Sequence, residues 1–167
     1  MRAPNFRMKI NVLFVCIGNI CRSPLAEGIF EAKVRRKGLQ RFLSCDSAGI
    51  ADYHIGSLPH PYSQEVARRK GITLNHRARK IEKKDFERFH YILTMEDMVH
   101  KETLALQKRY QSQNQIEKMR SYDPQAGNVS EVPDPYYYEI DFYEEVYQIL
   151  DRSAEAFLER LILTHKL

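Results

Sequence analysis

The sequence predicts a three-layer α/β domain in which helices cover both faces of a central parallel sheet. Three observations predict it. Short apolar runs of strand length alternate with longer segments whose apolar residues recur at helical spacing. The connections between successive strands carry helices, as parallel pairing requires. The 167 residues suit one domain, with no repeat, low-complexity tract or linker to divide them.

Taken in order, Lys9–Cys16 reads as a buried strand. A helix over Pro24–Lys37 follows, with Leu25, Ala26, Ile29, Phe30 and Val34 on one side. Pro24 suits a first helical turn, where its missing N–H would be unpaired anyway. Arg41–Asp46 is a second short strand, and Ser47–His60 a loop rich in small residues. Pro61–Lys70 reads as a helix closed by Gly71. Lys83–Phe89 is a short helix, Tyr91–Met95 a third strand, and Glu96–Tyr110 helical. Ser121–Pro135 is rich in turn residues. The chain closes with a long helix, Glu139–Leu163, whose apolar stripe runs from Tyr143 through Leu150 and Phe157 to Leu161.

Composition narrows the class. With 43% hydrophobic and 29% charged residues, the chain reads as a soluble globular protein. The basic N-terminus leads into an apolar run too short for a signal peptide or a membrane span. Three cysteines without framework spacing fit a reducing compartment, and the cytoplasm is expected. Residues 1–45 hold nine Lys/Arg against Glu27 and Glu31, whereas residues 123–151 hold eight acids and no base. The basic half is compatible with an anionic ligand or with an unevenly charged surface. No aromatic-interleaved basic motif points to nucleic acid, and no segment points to a membrane.

The chemistry concentrates after the first strand, in "CIGNICRSP". In a parallel sheet the ligand crevice lies beyond the carboxyl ends of the strands, where Cys16 stands. The loop from Ile17 through Gly18, Asn19 and Ile20 to Cys21 then delivers the chain into a helix N-terminus. Loop amides can point inward as an anion nest, the helix end adds partial positive charge, and Gly18 permits the backbone excursion. Arg22 contributes a planar fork of donors matched to phosphate oxygens. The same field favours the thiolate of Cys16, and Ser23 is placed to donate a hydrogen bond to it. Among the three cysteines only Cys16 meets an arginine at this spacing; Cys21 meets Glu27 and Cys45 meets Ala51. A buried structural cysteine is the alternative reading.

A thiolate that expels an alkoxide or phenoxide needs a proton donor. "VPDPYYY" offers Asp134, restrained between Pro133 and Pro135, with Tyr136, Tyr137 and Tyr138 following as possible walls for a flat ring. An ordinary turn with Asp as a helix cap fits that stretch equally well when it is taken alone.

Together, "VLFVCIGNICRSP" and the distant "DPYY" resemble the low-molecular-weight protein tyrosine phosphatases. The resemblance spans nearly the whole chain as one phosphatase domain and leaves only residues 1–7 as an N-terminal extension. The expected fold is a central parallel four-stranded sheet with helices on both faces and a phosphate-binding loop after the first strand. By that likeness Cys16 is the nucleophile, Arg22 the phosphate-binding arginine and Asp134 the general acid. Asn19 and Ser23 belong to the network holding the loop. "DSAG" matches the family's loop serine at Ser47, and "HRAR" its loop-supporting histidine at His76. From the residues alone, the favoured reading of His76 is a surface histidine in a basic run. Where many members carry tryptophan in the loop after the serine, this chain has Tyr53, which joins Tyr136 and Tyr137 as a slot wall. Where the family often reads Met-Asp after the third strand, this chain has Met95-Glu96.

The expected reaction is hydrolysis of phosphotyrosine monoesters through a cysteinyl-phosphate intermediate, with phosphoprotein substrates and inorganic phosphate or similar oxyanions as ligands. No cofactor is expected, because the loop supplies the positive charge; the cysteines and histidines show no zinc-ligand spacing. Cys21 shares the tight loop with Cys16 and is expected to be its partner in a reversible disulfide under oxidation. Two alternatives have the same loop. An arsenate reductase would need a thiol relay and no Asp-Pro acid. A non-catalytic phosphopeptide-binding module would need neither Asp134 nor a reactive Cys16.

Overall fold

The computed structural model describes residues 8–167, so the expected extension over residues 1–7 lies outside the described residues. The elements in chain order are β1 (Ile10–Cys16), α1 (Arg22–Arg36), β2 (Leu43–Gly49), α2 (Pro61–Arg68), α3 (Lys83–Arg88), β3 (Tyr91–Thr94), α4 (Asp97–Tyr110), β4 (Gln115–Lys118) and α5 (Ile140–His165). A single 3-10 turn, Met119–Tyr122, follows β4. The four strands form one all-parallel sheet in the order β2-β1-β3-β4.

The central position of β1 follows from its composition. Val12, Phe14 and Cys16 face one layer, and Leu13 and Val15 the other, all buried. A strand apolar on both faces needs cover on both. On the first face Phe14 meets Phe30 of α1, which meets Phe157 of α5, with ring centroids 5.5 and 5.7 Å apart. α2 adds Val66 and Ala67 to the same core. On the second face Leu13, Val15 and Ile92 pack with Phe86 of α3 and Val99 of α4. Lys33 ties α1 to α5 by pairing with Asp151 and Glu155 at 3.0 and 2.9 Å.

The expected layers are therefore present, with three adjustments. The fourth strand, unplaced in the sequence, is Gln115–Lys118 at the sheet edge; Ile116 is its one apolar residue, so it carried no strand signal. β2 extends to Gly49 and takes in Ser47, which was expected in the following loop. Pairing with β1 overrides the small-residue composition there, since Phe14 faces Ser47 and Cys16 faces Gly49 in continuous register. α1 begins at Arg22, two residues before Pro24, which puts the arginine at the first helical position. Among the described residues no helix is long and apolar enough to cross a membrane.

Candidate active site

The carboxyl end of β1 opens into a cavity of about 430 Å³. Cys16 and Arg22 lie in its floor, each only 2% exposed, and the loop between them forms its base. Loop carbonyls are bonded outward: Ile17 O accepts from the Ala51 N–H at 3.0 Å, Ile20 O from the His60 N–H at 2.8 Å, and Cys21 O from Ser63 Oγ at 3.1 Å. Every described peptide bond is trans. The C=O and N–H of one trans peptide unit point to opposite sides, so the N–H groups of Gly18, Cys21 and Arg22 turn inward. An anion nest results.

Asn19 holds this curvature from behind. It adopts a left-handed φ of 58°, tolerated best by Gly and Asn, and is buried. Its Nδ2 donates to Ser23 Oγ at 2.8 Å and Ser47 Oγ at 3.0 Å. Its Oδ1 accepts from His76 Nε2 at 2.7 Å and the Arg79 N–H at 3.0 Å. That uses the whole bonding capacity of the amide and fixes which end is oxygen. Ser47 and His76 thus both bond the Asn19 amide. Two close approaches favour glycine. A Cβ on Gly49 would stand 2.7 Å from Ile17 O, and one on Gly18 2.8 Å from the His54 ring.

Cys16 Sγ receives the Asn19 N–H at 3.3 Å and lies 3.0 Å from Ser23 Oγ. Because Asn19 already donates to that hydroxyl, its hydrogen is free to turn toward sulfur, and both contacts stabilise negative charge there. Arg22 is gripped at two corners. Nη1 donates to Val132 O at 3.0 Å and Nη2 to Glu96 Oε1 at 3.1 Å. Burial works against its charge, but Cys16, Asp134 and Glu96 outweigh burial and raise its pKa. Its Nε is buried and has no hydrogen-bond partner among the described residues. In a protein interior such a donor is costly unless a ligand satisfies it.

Asp134 stands above this floor, with Oδ2 3.6 Å from Arg22 Nη2 and Oδ1 accepting the Tyr136 N–H at 3.1 Å. Tyr53, Tyr136 and Tyr137 line the cavity mouth, Tyr53 and Tyr137 being exposed. Cys21 also borders the cavity. Burial pushes its thiol up to about 12, and Tyr143 Oη lies 3.5 Å from its sulfur.

Two contributors escaped the sequence reading. His54 packs over Gly18 and against the Tyr136 ring, 5.9 Å between centroids. Glu96, noted only as a departure from the family pattern, is the carboxylate that orients Arg22. Behind His76 lies a further group: Nδ1 sits 3.4 Å from Glu27 Oε1 and 3.4 Å from Asp46 Oδ1. Burial, then the bond to Asp46, pushes the Glu27 carboxyl up to about 9. Asp46 is held low, since bonds from His76, Glu27 and the Ser47 N–H together with Arg79 outweigh its own burial.

The family model for low molecular weight phosphotyrosine protein phosphatase matches residues 11–166. The Bacillus subtilis low molecular weight protein-tyrosine-phosphatase YfkJ is 39% identical over 150 residues, covering 89% of this chain and 94% of its own. A crystal structure of YfkJ superposes with a TM-score of 0.84 at 36% identity, covering 96% of this chain and 99% of that one. The human low molecular weight phosphotyrosine protein phosphatase is 40% identical over 151 residues, 90% of this chain and 94% of that one. A Drosophila arginine phosphatase is 31% identical with a TM-score of 0.85, covering 92% of this chain and 97% of that one.

Proposed function

Because the chain belongs to the low molecular weight phosphotyrosine protein phosphatases, we propose that Cys16 attacks phosphotyrosine esters held by the loop and Arg22. The observation that carries this reading is the Nε of Arg22, a buried donor with no partner among the described residues, held beside Cys16 by the grip of Val132 and Glu96. An equatorial phosphoryl oxygen satisfies it. The inward N–H groups of Gly18, Cys21 and Arg22 match the charge spread over the other oxygens.

The reaction then follows from position. Cys16 Sγ forms a bond to phosphorus as the ester P–O bond breaks, and Asp134 gives its proton to the departing phenolic oxygen. Asp134, now a carboxylate, takes a proton from water as that water attacks the cysteinyl phosphate. Phosphate is released and the thiolate returns, steadied by Ser23. No step calls on a metal ion. Tyr53, Tyr136 and Tyr137 raise the walls that a phenyl ring reaches through, which disfavours the shorter phosphoserine.

Cys21 is assigned as the redox partner in the same proposal. Peroxide converts Cys16 to a sulfenic acid, and the Cys21 thiol condenses with it, forming the disulfide and releasing water. A reducing compartment such as the cytoplasm keeps the pair open.

The test is turnover of phosphotyrosine, phosphoserine and phosphoarginine peptides without thiol reductant, the last because of the Drosophila neighbour. The expected order of kcat/KM places phosphotyrosine first. Cys16→Ser should abolish turnover yet still bind vanadate; a turning-over Cys16→Ser enzyme would remove the assignment. After peroxide, wild type should regain activity with dithiothreitol and Cys21→Ser largely should not; equal recovery would sink the redox pairing.

A further inference from the structure

Tyr143 of α5 is fully buried, and among the described residues its hydroxyl has one hydrogen-bond partner, Cys21 Sγ at 3.5 Å. A buried tyrosine hydroxyl ordinarily finds a strong partner, whereas sulfur is a weak one. Packing holds the phenol there. His60 stacks on the Tyr143 ring with centroids 4.9 Å apart and planes 23° from parallel, and Tyr62 meets it edge-on at 5.4 Å. His60 also binds the loop, its N–H donating to Ile20 O at 2.8 Å, and Ser63 Oγ donates to Cys21 O at 3.1 Å. The first turn of α2 and its cap therefore fix both the ring and the backbone of the cysteine it touches. Phosphoryl transfer has no use for this contact: Tyr143 does not line the substrate cavity, and Cys21 serves the anion through its N–H rather than its sulfur.

Acidity decides which atom keeps the hydrogen. A thiol ordinarily ionises near ~8.5 and a phenol near ~10. Burial raises both here, so the thiol remains the stronger acid. When a proton leaves the pair it leaves sulfur, and the phenol turns its own hydrogen to the thiolate. The surrounding charges pull in both directions. Cys16 of β1 and Asp134 of the loop before α5 oppose ionisation of Cys21, and Arg22 of α1 favours it. Burial is the largest influence, and the bond from Tyr143 is the largest one working against it.

We propose that Tyr143 is a positioning residue for the redox step, donating its O–H to Cys21 Sγ whenever that sulfur carries negative charge. The inference rests on the pairing of Cys16 with Cys21 proposed above. In closure, Cys21 gives up its proton and its sulfur attacks the sulfenic acid of Cys16. The S–S bond forms, the S–O bond breaks, and the departing hydroxide takes that proton to become water. In recovery, one thiolate of a dithiol reductant attacks Cys16 Sγ, and Cys21 leaves with the electron pair of the S–S bond and then takes a proton from water. The second thiol of the reductant releases Cys16 and is oxidised with the first to a disulfide. In both directions negative charge passes through the Cys21 sulfur, and the bond from Tyr143 speeds both.

The test is Tyr143→Phe in the full chain, which removes one oxygen and keeps the ring. Its kcat toward an aryl phosphate should match wild type; a large loss would tie Tyr143 to the shape of the anion loop and overturn the redox role. In a second pair of proteins, Cys16→Ser with and without Tyr143→Phe, iodoacetamide labelling of Cys21 is read by peptide mass spectrometry with Cys45 as internal reference. Losing one ordinary hydrogen bond lowers the thiolate fraction roughly 2–12-fold. The greater nucleophilicity of a more basic thiolate offsets about half of this on a logarithmic scale. Labelling of Cys21, and disulfide closure after peroxide in the chain that retains Cys16, should each slow by about two- to fourfold. More Cys16 should then be lost to the sulfinic acid. A merely structural role predicts the opposite sign, since a loosened core exposes Cys21 and speeds its labelling. Faster or unchanged labelling overturns the proposal. If Cys21→Ser fails to recover with dithiothreitol while Tyr143→Phe closes at the wild-type rate, the pairing stands and the role of Tyr143 falls. Equal recovery of wild type and Cys21→Ser overturns the pairing and, with it, the role given to Tyr143.

Discussion

Asn19, behind the floor of the cavity, has every polar atom of its side chain bonded to protein, while Tyr137, at the mouth, is 90% exposed. Between them the site divides into a rigid base and an open rim. The base must present donors to a small, highly charged group whose geometry does not change between substrates, and preorganisation there lowers the cost of charge development. The rim meets whatever surrounds the phosphorylated residue, so exposed rings on a loop suffice. Changes at the base should therefore remove catalysis or fold stability, and changes at the rim should alter selectivity.

The largest expected effect is at the base. Arg22→Lys keeps the charge but not the fork, and leaves Val132 O and Glu96 less well satisfied. It should cut kcat severely toward aryl phosphates; a near-wild-type kcat would break the distinction at once. Asp134→Ala stands at the boundary between base and rim. It should slow phosphotyrosine hydrolysis by the ~10²–10⁴-fold typical of general acid catalysis, and spare an ester with a very good leaving group. Equal losses for both esters would make Asp134 a structural residue.

Asn19→Ala should act through the fold. It deletes four hydrogen bonds, two buried and two partly buried, and leaves a β-carbon at positive φ, for a loss of about 2–4 kcal/mol in urea unfolding. A change under about 0.5 kcal/mol, typical of a surface site, would show that the base is less constrained than its bonding implies. Iodoacetamide sharpens the contrast within the loop itself. With its thiol pushed up to about 12 by burial, Cys21 should be alkylated far more slowly than Cys16 at neutral pH, as read by peptide mass spectrometry. The smallest effect belongs to Tyr137→Ala, which should leave the melting temperature unchanged and raise KM for phosphopeptides more than for inorganic phosphate as a competing ligand.

The same division governs what the sequence made legible. The base is largely contiguous: Cys16 to Ser23 follow β1 directly, so strand, loop and helix signals fall in one short stretch. Ser47 and His76 are remote in sequence and were reached by family resemblance; nothing local in "HRAR" distinguishes a buried anchor from a surface histidine. His54, Glu96 and the Glu27–Asp46 pair acquire their roles through tertiary approach alone, His54 by packing on Gly18 and Glu96 by its place between β3 and α4, where it reaches Arg22. β4 was invisible because an edge strand with one apolar residue is defined by the strand it pairs with, not by its own pattern.

Val132 carries a consequence for how variants combine. Its N–H bonds Met95 O at the end of β3, its carbonyl receives Arg22, and Asp134 follows two residues later. Arg22 thereby also anchors the backbone that carries Asp134. The two side chains are thus thermodynamically coupled rather than independent parts. In a double-mutant cycle, the loss from Arg22→Lys already includes part of the loss from Asp134→Ala, so the combined variant should fall short of the product of the two rate reductions. The genetic reading is antagonistic epistasis between positions 112 residues apart, imposed through one residue.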